Sequence, residues 1–128
     1  MNIALKEIKQ VVYLKNIENE KLNDFISSKI RAPVAQLKHP TIRGVLLLYH
    51  ERKPSDPKEE NFYFRNFMPD GRVKNKIIYG DAIFVKVDEK GNIQDINDAE
   101  YTKILKAFKN FQITKEYINA NGGSYDIF

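Results

Sequence analysis

The chain has 128 residues, of which 42% are hydrophobic and 30% are charged, and its formal net charge is +4 from 21 basic and 17 acidic side chains. This length fits a single domain, which at this size can bury a hydrophobic core without crosslinks. The absence of cysteine excludes a disulfide scaffold, a zinc ribbon and a thiolate nucleophile. The modest positive net charge favours an acidic partner over a basic one.

The first predicted elements are a strand and a helix. Residues 8–14 are rich in β-branched and aromatic side chains, which favours a strand, although the apolar spacing of residues 3–12 also fits a helix. In residues 19–30 apolar side chains recur at steps of three and four, which is typical of one face of an α-helix. Asn16 or Asn19 is expected to cap its N-terminus.

The middle of the chain predicts strands and one long loop. Residues 34–38 can form a short strand, and residues 44–50 are apolar on both faces, as in a central strand. Residues 51–60 are charged and contain two prolines, which exclude ladder pairing and predict a loop.

A hairpin and two shorter strands follow. A Pro-Asp-Gly turn within residues 68–71 separates the strands 62–67 and 72–79. Residues 82–87 are strong strand formers, and a turn leads from them into a short strand over 92–96.

The C-terminal part of the chain contains the strongest helix signal. Asn97 and Glu100 have the spacing of a capping box, and apolar residues at helical spacing predict a helix over 98–111. Residues 119–128 contain a Gly-Gly pair and are expected to be a flexible tail. The elements together predict one α+β domain over residues 1–118, with a mostly antiparallel sheet of about five strands and two main helices packed on one face.

The sequence contains no pattern that predicts a cofactor or a metal site. The two histidines, His39 and His50, lack other soft ligands nearby. An alternative from another class is a small hydrolase or nuclease that uses His50 with Glu51 and Asp56. The serines have no nucleophile-elbow context, so we expect a non-enzymatic protein.

The predicted hairpin carries the most informative surface. If the connection is the four residues 68–71, strand alternation places two aromatic and four basic side chains on one face, with Arg65 directly opposite Lys74. Like charges in that position are destabilising unless an anion offsets them. Such a face can bind single-stranded nucleic acid or an acidic protein, although it can also be a solvated sheet face. The candidate binding residues are Tyr63, Arg65, Phe67, Arg72, Lys74 and Lys76.

One resemblance covers residues 8–110. The predicted order of elements, a glycine before the central strand at Gly44, and residues 77–91 with the run Val-Asp-Glu-Lys-Gly resemble a family of small plasmid- and phage-borne domains of unknown function. The resemblance implies an accessory protein of a mobile element, for which inhibition of host defence by binding is a common role. It assigns no catalytic residues.

We therefore expect a small non-enzymatic binding protein that inhibits a nucleic-acid-handling defence system of a host. Its partner would be an acidic host protein or a protein–nucleic-acid complex. Direct binding of single-stranded nucleic acid is the alternative. The N-terminal residues lack the uncharged run of a signal peptide, and the chain has no apolar run that could span a bilayer, so we expect a cytoplasmic location and no membrane partner.

Overall fold

The computed structural model describes the backbone of residues 1–51, 59–67, 70–108, 111–118 and 124–127, and the side chains of residues 1–51, 59–64, 70–72 and 76–108. The elements in chain order are β1 (Ile3–Lys6), β2 (Gln10–Lys15), α1 (Asn19–Lys29), β3 (Val34–Lys38), β4 (Val45–His50), β5 (Glu60–Phe67), β6 (Val73–Tyr79), β7 (Ala82–Val87), β8 (Ile93–Gln94), α2 (Asp98–Leu105), β9 (Phe111–Ile118) and β10 (Ser124–Ile127).

The protein is built on one large sheet and a separate hairpin. The large sheet has the strand order β10-β9-β2-β1-β7-β4-β3, with β8 paired to β7, while β5 and β6 pair only with each other. All of its described pairings are antiparallel except β2 with β9. The α+β class and the mostly antiparallel sheet are therefore confirmed, but the sheet has more than the five strands expected.

The helices cover opposite faces of the sheet, so the prediction that both pack on one face is wrong. Alternate residues of β1 and β2 belong to two separate core clusters. One cluster contains Leu22 and Phe25 of α1, and the other contains Tyr101 and Ile104 of α2. The physical reason is that these strands are apolar on both sides, so each face needs its own cover.

Most predicted elements are present, with corrections at their ends. The N-terminal strand over 8–14 corresponds to β2, and the alternative helix over 3–12 is wrong because β1 occupies that segment. The residue before α1 is Glu18, which makes no side-chain cap, so neither Asn16 nor Asn19 caps this helix. Neither described helix has the length and apolar composition to cross a bilayer.

The capping box that opens α2 is confirmed. The Asn97 side chain accepts from the Glu100 amide at 2.8 Å, and the Glu100 carboxylate accepts from the Asn97 amide at 3.1 Å. The helix ends at Leu105 rather than at residue 111, because Phe111 begins β9 and pairs with β2.

The structure describes only parts of the two segments that the sequence predicts to lack regular structure. The predicted tail over 119–128 contains β10, which pairs with β9, while residues 119–123 and 128 lie outside the described part. Of the loop predicted over 51–60, residues 52–58 lie outside the described part, and Glu60 already belongs to β5.

The β5–β6 hairpin forms as predicted, but its register differs from the prediction by one residue. Its connection spans the five residues 68–72 rather than the four residues 68–71, because β6 begins one residue later than expected. When the pairing of two strands shifts by one residue, every side chain of one strand moves to the opposite face relative to the side chains of the other strand. The observed pairs are Phe67 with Val73, Arg65 with Asn75, and Tyr63 with Ile77.

Gly44 permits the close approach of two strand ends. Its φ is +79°, in the left-handed region, and its carbonyl accepts a hydrogen bond from the amide of Val87 at 2.8 Å. A Cβ at this position would lie 2.9 Å from the Val87 carbonyl oxygen. Only glycine therefore joins β4 to the end of β7 without strain.

Two stacked tyrosines lie between the sheet and α2. The rings of Tyr13 and Tyr101 are 4.1 Å apart, and burial raises the pKa of each hydroxyl to about 12. The Tyr13 hydroxyl donates to the carbonyl of Ile96 at 2.5 Å. The Tyr101 hydroxyl is buried without a hydrogen-bond partner in the described part of the chain.

This difference predicts opposite responses to the same substitution. Tyr13→Phe should lower the free energy of unfolding by about 1 kcal/mol, because it removes a buried hydrogen bond. Tyr101→Phe should leave that free energy unchanged or raise it, because it removes a buried hydroxyl without a partner. Urea denaturation of both variants measures the difference, and equal losses would contradict the assignment.

Candidate functional site

The six predicted binding residues do not form one continuous face. Tyr63 is 62% exposed and pairs with Ile77, whereas Lys76 is half-buried and pairs with Phe64. Because neighbouring residues of a strand point to opposite sides, Tyr63 and Lys76 lie on different faces of the hairpin. The Lys76 ammonium lies 5.2 Å from the centre of the Tyr49 ring, so it packs against the main sheet.

The remaining predicted residues are placed only in part. Arg72 is exposed in the connection, and its guanidinium pairs with the Asp70 carboxylate at 2.7 Å. Arg65 pairs with Asn75, so the predicted opposition of Arg65 and Lys74 is wrong. The side chains of Arg65, Phe67 and Lys74 lie outside the described residues, and a binding role for them stays a prediction.

An aromatic pocket lies where the hairpin meets the main sheet and α2. The cavity has a volume of about 380 Å³. Its exposed lining residues are Pro40, Tyr63 and Ala107, which mark its opening to solvent. Its other lining residues are His39, Phe62, Phe64, Phe84, Ile104 and Phe108.

The rings of the aromatic pocket come from four separate segments of the chain and contact one another. The ring centres of Phe62 and Phe108 are 5.1 Å apart in an edge-to-face arrangement, and Phe84 lies 6.4 Å from Phe62 and 6.3 Å from Phe108. His39 meets Phe64 edge-on at 6.3 Å. Aromatic pairs at these separations attract one another beyond the contribution of their burial, which favours this arrangement of the walls.

A buried lysine supports the wall formed by the hairpin. Lys6 is 1% exposed, and its ammonium lies 5.9 Å from the Phe62 ring centre and 5.3 Å from that of Phe108. It donates to the carbonyls of Glu7 and Ile8 and to the side-chain oxygen of Asn61, the last at 2.7 Å. Desolvation lowers the pKa of Lys6, and the negative charges of Asp81 and Glu7 partly oppose this shift.

Asn61 joins the hairpin to the sheet. The register shift between Glu60 and Phe62 makes Asn61 the extra residue of a β-bulge, so its side chain is free of the regular alternation. Its amide nitrogen donates to the carbonyls of Lys6 at 2.9 Å and Gly80 at 2.7 Å. One side chain thus satisfies three polar groups at the base of the aromatic pocket.

We predict that Asn61→Ala lowers the free energy of unfolding by about 2–4 kcal/mol, because it removes an acceptor from a buried ammonium and a donor from two carbonyls. The matched control is Asn92→Ala, since the exposed Asn92 amide group makes one long hydrogen bond within the described part of the chain, to the carboxylate of Asp88 at 3.4 Å. Thermal or urea denaturation measures both. Equal effects at the two asparagines would mean that the Asn61 contacts do not hold the hairpin.

His39 contributes an imidazole to the pocket wall, beside the hydroxyl-bearing Tyr63. Its Nδ1 accepts hydrogen bonds from the amides of Thr41 at 3.2 Å and Ile42 at 3.1 Å, so the neutral ring carries its proton on Nε2. Nε2 has no hydrogen-bond partner among the described residues. Burial lowers the pKa of His39, so the neutral form persists below the usual titration range. The lining therefore combines aromatic rings with an imidazole whose Nε2 can donate a hydrogen bond.

The lowered pKa of His39 predicts a loss of stability on acidification. The unfolded chain binds the proton first, at a pKa of about 6.5, so this stabilisation is complete above that pH and is lost as the pH falls towards the folded-state pKa. The parent protein should lose more stability between about pH 7 and 5 than His39→Asn, whose side-chain oxygen can accept from the same amides. Urea denaturation at both pH values tests this, and equal losses would contradict it.

His50 has a different environment from His39. Its Nδ1 donates to the carbonyl of Arg31 at 2.7 Å. Glu51, its proposed catalytic neighbour, is exposed, and Asp56 lies outside the described residues. Within the described part of the chain, no group of three or more histidine, aspartate or glutamate side chains could hold a metal ion.

Sequence reasoning found parts of the pocket but not the pocket itself. Phe62 and Phe64 alternate with the candidate binding residues along their strand, and they belong to or pack against the core, as Phe108 of the predicted helix 98–111 also does. The sequence gives His39 no metal-ligand context, and nothing in it indicates that the loop of His39 meets the hairpin. No family model, curated protein or solved structure matches this chain.

Proposed function

We propose that this chain is a non-enzymatic binding protein that anchors an aromatic side chain of a partner protein in the aromatic pocket. The observation that carries the proposal is a cavity lined mainly by aromatic rings, together with the imidazole of His39, whose Nε2 has no hydrogen-bond partner among the described residues. Its volume of about 380 Å³ lies within the range of about 300–1,000 Å³ that is typical of ligand pockets. Aromatic anchors that fill such pockets carry much of the binding energy at protein interfaces.

The polar content of the pocket favours an aromatic side chain over a nucleobase. A base has several donors and acceptors on its edges, and each one buried without a partner costs about 1–3 kcal/mol. A tyrosine ring buries a similar flat surface with one hydroxyl, which can accept from His39 Nε2. Direct binding of single-stranded nucleic acid is therefore the weaker proposal for this pocket.

The proposed biological setting is that of an accessory or inhibitor protein of a plasmid or phage. This setting rests on the sequence resemblance alone. The aromatic pocket supports the more general part of the proposal, which is that the protein binds a partner by shape complementarity and burial of apolar surface, without catalysing a reaction.

N-acetyl-tyrosinamide provides a defined probe for the aromatic pocket. At about 0.3 kcal/mol per non-hydrogen atom, its dissociation constant should be about 0.1–1 mM. We expect saturable shifts in the NMR signals of Ile104 and Phe108, which line the cavity. N-acetyl-leucinamide should bind more weakly, because it cannot stack on the rings.

A matched pair of variants controls this experiment. Ala107→Trp places a large ring at the exposed opening and should weaken binding at least about tenfold, since the probe and the indole compete for one cavity. Ala99→Trp introduces the same ring at an exposed position in the first turn of α2, outside the pocket lining, and should bind like the parent. Unchanged binding by Ala107→Trp, or shifts that do not saturate, would exclude the pocket as the site.

A further inference from the structure

We infer that the partner segment is acidic, and that carboxylates beside its aromatic anchor bind Lys38 and Lys103. This inference rests on the proposed function. Both lysines line a second cavity, here called the basic groove, which also contains Arg43 and Lys86. His39 lines both the aromatic pocket and the basic groove, so a chain anchored in the pocket can continue into the groove.

The carboxylates of the basic groove already have partners. Glu100 pairs with Lys86 at 2.8 Å and also completes the capping box of α2. The Asp88 carboxylate accepts hydrogen bonds from the amides of Lys90 and Asn92, both at 2.9 Å, and these bonds lower its pKa. Both carboxylates therefore already make contacts with other groups of the protein.

The third carboxylate of the basic groove is that of Glu89, which pairs with Arg43 at 3.5 Å. Both side chains are more than nine-tenths exposed, so this pair is weak and solvated. The four cations of the groove thus face three acidic groups, each with its own partner.

Lys38 and Lys103 are the two cations of the basic groove that pair with none of its three carboxylates. Both are exposed, one at the end of β3 and the other in the last turn of α2. Neither has a carboxylate within ion-pair distance in the described part of the chain. The lining of the basic groove therefore has a formal net charge of +1, from four cations and three carboxylates, and it lies next to the pocket that would hold the anchor.

Carboxylates fit this combination better than phosphates do. A lysine ammonium pairs with either group as a point charge. A nucleotide would have to bring a base into the adjacent aromatic pocket, where, among the described residues, side-chain partners for its several polar edge atoms are limited to His39 and Tyr63. An acidic peptide satisfies both sites at once, with an apolar ring in the pocket and carboxylates at the lysines.

Two peptides of equal length test the inference. The acidic probe is acetyl-Asp-Asp-Tyr-Asp-Asp-amide, and its neutral match replaces each aspartate with asparagine. At about 20 mM salt the acidic peptide should bind about 3–10-fold more tightly, as expected for two exposed ion pairs, and at about 300 mM salt most of this advantage should disappear. NMR titration measures both affinities.

Charge variants locate the effect on the protein. In Lys38→Gln/Lys103→Gln the acidic peptide should lose its advantage, while the neutral peptide binds as before. The control Lys9→Gln/Arg31→Gln removes the same net charge from two exposed residues that do not line the basic groove. This control should keep most of the advantage, because the contacts at Lys38 and Lys103 remain.

The remaining outcomes overturn the inference in distinguishable ways. Equal binding of the two peptides would overturn it and leave the proposed function standing. If the advantage of the acidic peptide persists in Lys38→Gln/Lys103→Gln, or if the control variant loses it equally, the advantage arises from net charge alone and the inference is overturned. Binding of neither peptide, nor of N-acetyl-tyrosinamide, would overturn both proposals. Tighter binding of an eight-residue thymidine oligonucleotide, with a steep salt dependence, would assign the surface to nucleic acid instead.

Discussion

The buried ammonium of Lys6 constrains how the hairpin is attached to the rest of the protein. A charge that is 1% exposed is stable only if hydrogen-bond acceptors replace its water. Two backbone carbonyls provide part of that replacement, and the side-chain oxygen of Asn61 provides the rest. The nearby negative charges of Asp81 and Glu7 further favour the charged form. Because Asn61 belongs to the hairpin, solvation of this one charge fixes the hairpin against the sheet and thereby forms one wall of the aromatic pocket.

Much of the fold could be predicted from local sequence signals, and the errors have common physical causes. Helix α1, the capping box of α2, strand β3 and the hairpin follow from periodicity and turn chemistry, which act between near neighbours. The sequence did not predict β1, because four residues are too few for a clear period, or β9, because its parallel pairing with β2 joins distant segments. The hairpin register was wrong because it depends on the length of one connection, which a Pro-Asp-Gly turn does not fix.

The candidate site was harder to predict than the fold for the same reason. The predicted face depended on a register, so one additional residue in the connection separated Tyr63 from Lys76. The pocket requires that His39, the hairpin and the end of α2 meet, and none of these segments are neighbours in sequence. The apolar lining residues, among them Phe62, Phe84 and Ile104, carried a usable signal, because they lie in segments with a clear strand or helix pattern.

Three parts of the pocket wall are held by three separate sets of hydrogen bonds. The amides of Thr41 and Ile42 orient His39, the Lys6–Asn61 contact holds the hairpin, and the capping box fixes the start of the helix that leads to Phe108. Ordering side chains on binding costs about 0.5–1.5 kcal/mol for each one immobilised, and a wall that is already ordered avoids that cost. The proposed binding role would benefit from such preorganisation, because affinity depends on the free energy that remains after the side chains are ordered. The same argument explains how a cavity of modest size can serve as an anchor site, since the rings that an incoming aromatic group would contact are already in place.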